Sequence, residues 1–158
     1  MKKNTPISQK HSLGCGVACV AFILRLNYLK ALKIFTNGSQ KANNHGFYCK
    51  EIMEVLNKYD LDYTYKYVNN KTKRKIYNDY SIVFIKRSKR YPAGHYLCRY
   101  RNLWMDPWIN FTENKNIKKS KAGFSARLPG KAIYVVFNKT PNPLSPKSKP
   151  FFGRLDFP

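Results

Sequence analysis

Apolar residues crowd the first part of the chain without leaving a polar face. Over residues 15–27, Val17, Ala18, Val20, Ala21, Phe22, Ile23, Leu24 and Leu26 cover nearly all sides of a helical wheel. That is the pattern of a helix buried at the centre of a small protein. Residues 28–35 continue as a second, short helix with Leu29, Leu32 and Phe35 at helical spacing. Asn37-Gly38-Ser39 reads as its stop. A third helix spans 46–59, with Cys49, Ile52, Met53, Val55 and Leu56 as its apolar stripe. Glu51 and Glu54 lie early in it and Lys58 late, in agreement with the helix dipole.

The period then changes to two. Residues 61–68 alternate as a strand. Residues 69–80 are a charged connection with room for one helical turn, and 81–86 are a short apolar strand. Pro92-Ala93-Gly94 breaks the chain before a strand at 95–100, and Arg101-Asn102 reads as a two-residue turn into a partner strand at 103–106. Residues 132–138 are the last clear strand. Helices first and an antiparallel sheet after them give an α+β class. No internal repeat is present. The expected organisation is one domain over residues 1–138 and a basic, proline-rich extension over 139–158.

Composition adds an electrostatic question. Thirty Lys and Arg face eight acids among 158 residues, a formal net charge of +22. Such a charge speaks to partners and solubility, not to fold. An apolar fraction of 43% is enough for a core and excludes wholesale disorder. The basic start followed by an apolar run imitates a signal peptide, but the small residues of a cleavage site are missing. The run is about half the length of a membrane span. It also follows Cys15, where a lipoprotein signal would precede it. A cytoplasmic protein with four reduced thiols and no membrane span is therefore expected, or one delivered into the cytoplasm of a target cell.

Two stretches carry candidate chemistry. Gly14-Cys15-Gly16 sets a thiol at the start of the buried helix, where unsatisfied N–H groups favour a thiolate and can hold an oxyanion. Cys19, one turn on, reads as a small core hydrophobe. In the hairpin, a two-residue loop at Arg101-Asn102 sets Tyr100 opposite Leu103 and Cys98 opposite Met105. His95 and Asp106 then share a face as diagonal neighbours. A carboxylate in reach of an imidazole fixes its tautomer and stabilises its cation. Gln9, six residues before Cys15, could donate to an oxyanion beside the Cys15 N–H.

Taken in order, Gln9-Lys10-His11-Ser12-Leu13-Gly14-Cys15-Gly16-Val17-Ala18-Cys19, the helix from Gly46 to Leu56, Gly94-His95-Tyr96-Leu97 and Met105-Asp106-Pro107 resemble the C39 family of cysteine peptidases. These are papain-like domains that process double-glycine leader peptides. The resemblance spans roughly residues 9–111. It implies a papain-like fold, Cys15 as nucleophile, His95 as base, Asp106 as its orienter and Gln9 as oxyanion donor. No transporter follows, so a stand-alone member is expected, and Gly14 stands where the family commonly has Asp.

Three other readings compete. His11, Cys15, Cys19, His45, Cys49, His95 and Cys98 could be grouped around zinc, but Cys19 points into the core and no tight knuckle exists, so neither metal nor cofactor is expected. The clusters Lys71–Lys75, Lys86–Tyr91 and Lys115–Lys121, interleaved with aromatic rings, suit RNA. A basic papain-like toxin would use the same Cys15, His95 and Asp106 on RNA and would have a small acidic immunity partner. A catalytically silent, leader-binding module is the third. For a peptidase, the same charge would draw an acidic leader peptide.

Overall fold

The computed structural model describes residues 4–140; residues 1–3 and 141–158 lie outside it. Helix α1 (Cys15–Leu24) is followed by α2 (Tyr28–Ile34), α3 (Gly38–Asn44) and α4 (Cys49–Asn57). Six strands come next: β1 (Tyr63–Tyr67), β2 (Ile82–Ile85), β3 (His95–Tyr100), β4 (Leu103–Asp106), β5 (Gly123–Ser125) and β6 (Ala132–Asn138). They form one antiparallel sheet in the order β1-β6-β2-β3-β4-β5. The class is α+β, helices before sheet, as the sequence pattern implies. Of the expected extension, only residues 139 and 140 fall within the described part of the chain.

The helix without a polar face does sit at the centre. Nine of the ten residues of α1 are buried, Cys15 being the exception. It ends at Arg25, whose φ of 57° turns the chain left-handed. α1 and α4 pack on one face of the sheet, where Phe22, Ile52 and Leu56 meet Tyr63, Ile82, Tyr96, Cys98 and Met105. The other face carries a smaller cluster: Val83, Ile85, Leu97, Trp104, Val135 and Phe137, covered by Ile76 and Tyr91. Among the described residues no single helix is long and apolar enough to cross a membrane.

Three expectations need correction. The second helix does end before Asn37-Gly38-Ser39, but no loop follows: Asn37 takes φ 52° and a further helix, α3, starts at Gly38. α3 is short and polar, so apolar periodicity had nothing to register. In α2 the buried positions are Tyr28, Ala31 and Leu32, with Phe35 just beyond. Leu29 faces solvent instead. Strand β5 falls in a stretch with no alternation and exists by pairing with β4, Phe124 opposite Met105. The charged connection does hold its turn, a 3-10 segment at Lys73–Tyr77.

Candidate active site

The nucleophile candidate is placed by a tight loop. The Gly14 N–H donates to His11 O at 3.0 Å, and the Leu13 N–H donates to Ala42 O at 2.8 Å. Gly14 then caps α1 with no side-chain bond. A Cβ at Gly14 would stand 2.0 Å from the Tyr28 hydroxyl. This is the physical reason for glycine immediately before the thiol. The Tyr28 hydroxyl also meets His11 Nδ1 at 3.0 Å, tying α2 to the loop. Cys15 is half-buried, and its own N–H has no partner among the described residues.

The hairpin delivers the other two groups. Arg101 adopts φ 55° in the turn. The register has Tyr100 opposite Leu103 and Cys98 opposite Met105, as the two-residue loop requires. His95 opens β3 and Asp106 closes β4, so the diagonal pair meets: His95 Nε2 lies 2.7 Å from Asp106 Oδ1. They are 5% and 3% exposed. The same carboxylate oxygen accepts the Trp108 N–H at 2.9 Å. Gly94, just before His95, has φ 74° and carries no Cβ because one would strike Phe84 at 2.2 Å.

Cys15 reaches this pair from the helix side. Its sulfur accepts the Tyr96 N–H at 3.4 Å and lies near enough to the His95 ring to favour its protonated form. With Nε2 held by Asp106, Nδ1 is the ring nitrogen left for sulfur. Burial works against the imidazolium, but the bond to Asp106 and the nearby Cys15 sulfur outweigh it, and His95 is pushed up to about 10. The carboxylate and the sulfur together hold the ring toward its protonated form. Tyr91 stacks on it with centroids 4.9 Å apart and planes 7° apart. Phe111 stacks on Tyr91 at 5.4 Å, so the ion pair has a dry aromatic cover.

Gln9 sits in the same place but is already engaged. Its Nε2 donates to His11 O at 3.0 Å and Ser12 O at 3.1 Å. Both amide hydrogens therefore hold the loop that carries Cys15. Its buried Oε1 has no partner among the described residues. Ser120 clamps Gln9 from outside, Oγ donating to Gln9 O at 2.8 Å.

The other thiols are set apart by burial. It raises Cys19 and Cys98 well above the ordinary thiol value and raises Cys49 too. Among the described residues no group of three His, Cys, Asp or Glu is placed to hold a metal.

Cys15, His95 and Gln9 open into one cleft of about 1120 Å³. Phe84, Tyr96, Tyr65 and Tyr134 line it from the helix-side face of the sheet. Phe47, Tyr48, Arg87 and the run Tyr91-Pro92-Ala93-Gly94 also line it. Tyr28, Tyr91 and Phe111 were not legible as site residues in the sequence. For Tyr91, its place just before Pro92-Ala93-Gly94-His95 was the one available signal. Set against family models, curated proteins and solved structures, the chain matches none.

Proposed function

We propose that the protein is a papain-like, C39-type thiol peptidase, with peptides bearing a double-glycine leader as the first substrates to try. The observation that carries this reading is the convergence of three chemically matched groups from distant parts of the chain. A half-buried thiol at an uncapped helix start meets an imidazole held as a cation by a buried carboxylate.

The chemistry follows from those groups. The Cys15 thiolate attacks the scissile carbonyl carbon, and the oxyanion takes the free Cys15 N–H. Gln9 joins as a donor only when one of its two loop bonds opens. As the C–N bond breaks, His95 gives its proton to the leaving amine, leaving a thioester on Cys15. Water, giving a proton to His95, then attacks the thioester. The C–S bond breaks, the carboxylic acid leaves and gives its proton to solvent, and the imidazolium–thiolate pair is restored. Asp106 keeps its proton balance unchanged and holds the ring throughout.

The test is a cleavage screen on double-glycine and unrelated peptides beside Cys15→Ser. Cleavage by the native chain and none by the variant is expected. Equal cleavage by both, or reaction of all four thiols with an electrophile at one rate, overturns the reading.

A further inference from the structure

β1 is the outermost strand of the sheet, and its register fixes which backbone groups look outward. The Lys139 N–H donates to Asp62 O at 2.8 Å and the Val68 N–H to Ile133 O at 2.9 Å. With Tyr63 opposite Asn138 and Tyr67 opposite Tyr134, Thr64 and Lys66 turn their N–H and C=O toward β6. Tyr63, Tyr65 and Tyr67 turn theirs to the open side. Asn57 takes both of Tyr63's groups, Oδ1 accepting its N–H at 2.7 Å and Nδ2 donating to its C=O at 2.9 Å. This side-chain amide stands in for one residue of a neighbouring strand. Thr72 Oγ1 donates to Tyr67 O at 2.7 Å. The Tyr65 N–H, Tyr65 C=O and Tyr67 N–H are left without partners among the described residues. Tyr65, Lys66 and Tyr67 are all exposed.

We propose that this edge takes an extended peptide segment as a seventh strand, with an apolar residue opposite Tyr65 and acidic residues on either side of it. Residues opposed across a ladder share a face. The residue facing Tyr65 therefore lies on the helix side, over the exposed rings of Tyr65 and Tyr134. Its neighbours turn to the other side, where Lys66 stands. Charge points the same way. Lys66, on the face to which the acidic neighbours turn, is exposed and forms no salt bridge among the described residues. Tyr65 lines the cleft that holds Cys15, so a segment paired here continues toward the thiol. That continuation rests on the peptidase reading; the strand pairing does not. Asn57 sets the limit of the footprint, since it occupies the next ladder position. The competing occupant is the chain's own residues 141–158, where prolines at 141, 143, 146, 150 and 158 interrupt the N–H ladder of all but the run 151–157.

The experiment uses the full chain carrying Cys15→Ser and the peptide acetyl-Glu-Leu-Glu-Leu-Glu-amide, with acetyl-Lys-Leu-Lys-Leu-Lys-amide as control. Amide hydrogen exchange is read residue by residue. The acidic peptide is expected to slow exchange at Tyr65 and Tyr67 by about tenfold or more at saturation, with no change at Lys66, and the basic peptide to do nothing. N-methylation of both leucines abolishes the effect. Tyr65→Pro, which deletes an outward donor at an edge position that tolerates proline, weakens binding by about fivefold or more, and Tyr65→Ala weakens it less. The methylated peptide keeps the test intact should the proline variant fail to fold. Protection of Tyr65 in the peptide-free chain, equal protection by the basic peptide, or none by the acidic one overturns the proposal. Protection at β1 in a protein that cleaves nothing sinks the peptidase reading alone. Cleavage without protection at β1 sinks the strand pairing alone.

Discussion

The mouth of α1 and its interior hold the same functional group one turn apart. Cys19 has no exposed surface, and burial raises its thiol well above the ordinary value. Cys15 is half-buried, accepts the Tyr96 N–H and borders a charged imidazole. The helix supplies both cysteines, so it does not by itself decide which one reacts. The difference comes from β3 and β4, which bring His95, Asp106 and an N–H donor to one end of the helix and the buried side chains of Cys98, Tyr100 and Met105 to the rest of it. Reactivity here is a property of the contact between helix and sheet, and each variant below pulls on that contact.

The largest effect is expected at the mouth itself. Cys15→Ser and His95→Ala should each lower peptide cleavage by roughly a thousandfold or more, and the double variant by little beyond the single ones, because groups that act as a unit are not additive. Single-turnover rates measure this. In the native chain an electrophile such as iodoacetamide should alkylate Cys15 well ahead of Cys19, Cys49 and Cys98. Mass mapping reads that order, and equal labelling of Cys15 and Cys19 would erase the contrast.

Asp106→Asn comes next, with a loss of about a hundredfold or more. Its diagnostic is the pH profile. In the native chain His95 is pushed up to about 10, so cleavage should fall on an alkaline limb in that range. Removing the carboxylate lowers the His95 value, so that limb moves toward neutrality. Stability follows the same linkage. His95 is held above its ordinary 6.5, so its contribution is complete below about pH 6.5 and is lost as pH rises through about 10. Urea unfolding at pH 6 and pH 9.5 should show a fall for the native chain and a smaller one for His95→Gln. At the interior site the response is different in kind. Cys19→Ser buries a hydroxyl and should cost about 1–3 kcal/mol of stability, with the cleavage rate of the folded fraction unchanged.

Much of this contact was legible before any coordinates. The all-apolar run at 17–24 located α1, and the parity of a two-residue loop at Arg101-Asn102 joined His95 to Asp106 in the register found here. Local periodicity carries such information because strands alternate strictly. α3, β5 and the burial of Tyr28 in place of Leu29 were not legible. Each depends on a partner distant in sequence: α3 on the turn at Asn37, β5 on β4, Tyr28 on the loop at Gly14. Gln9 was legible as a site residue but not in its bonding, since nothing in its spacing says that both amide hydrogens are used by His11 and Ser12.

The smallest expected effect probes the cover over the ion pair. Tyr91 lies parallel to the His95 ring at 4.9 Å and is backed by Phe111. A π-face over an imidazolium adds to the attraction of Asp106, on the order of 1 kcal/mol. Tyr91→Leu keeps an apolar cover and removes the π-face, so His95 should titrate roughly half a unit to one unit lower and the thiol should alkylate a few times more slowly near neutral pH. Tyr91→Phe keeps the face and should match the native chain on both measurements, NMR titration of His95 and alkylation rate. A Leu variant that titrates like the native chain would reduce Tyr91 to packing and leave Asp106 as the source of the contrast between the two cysteines.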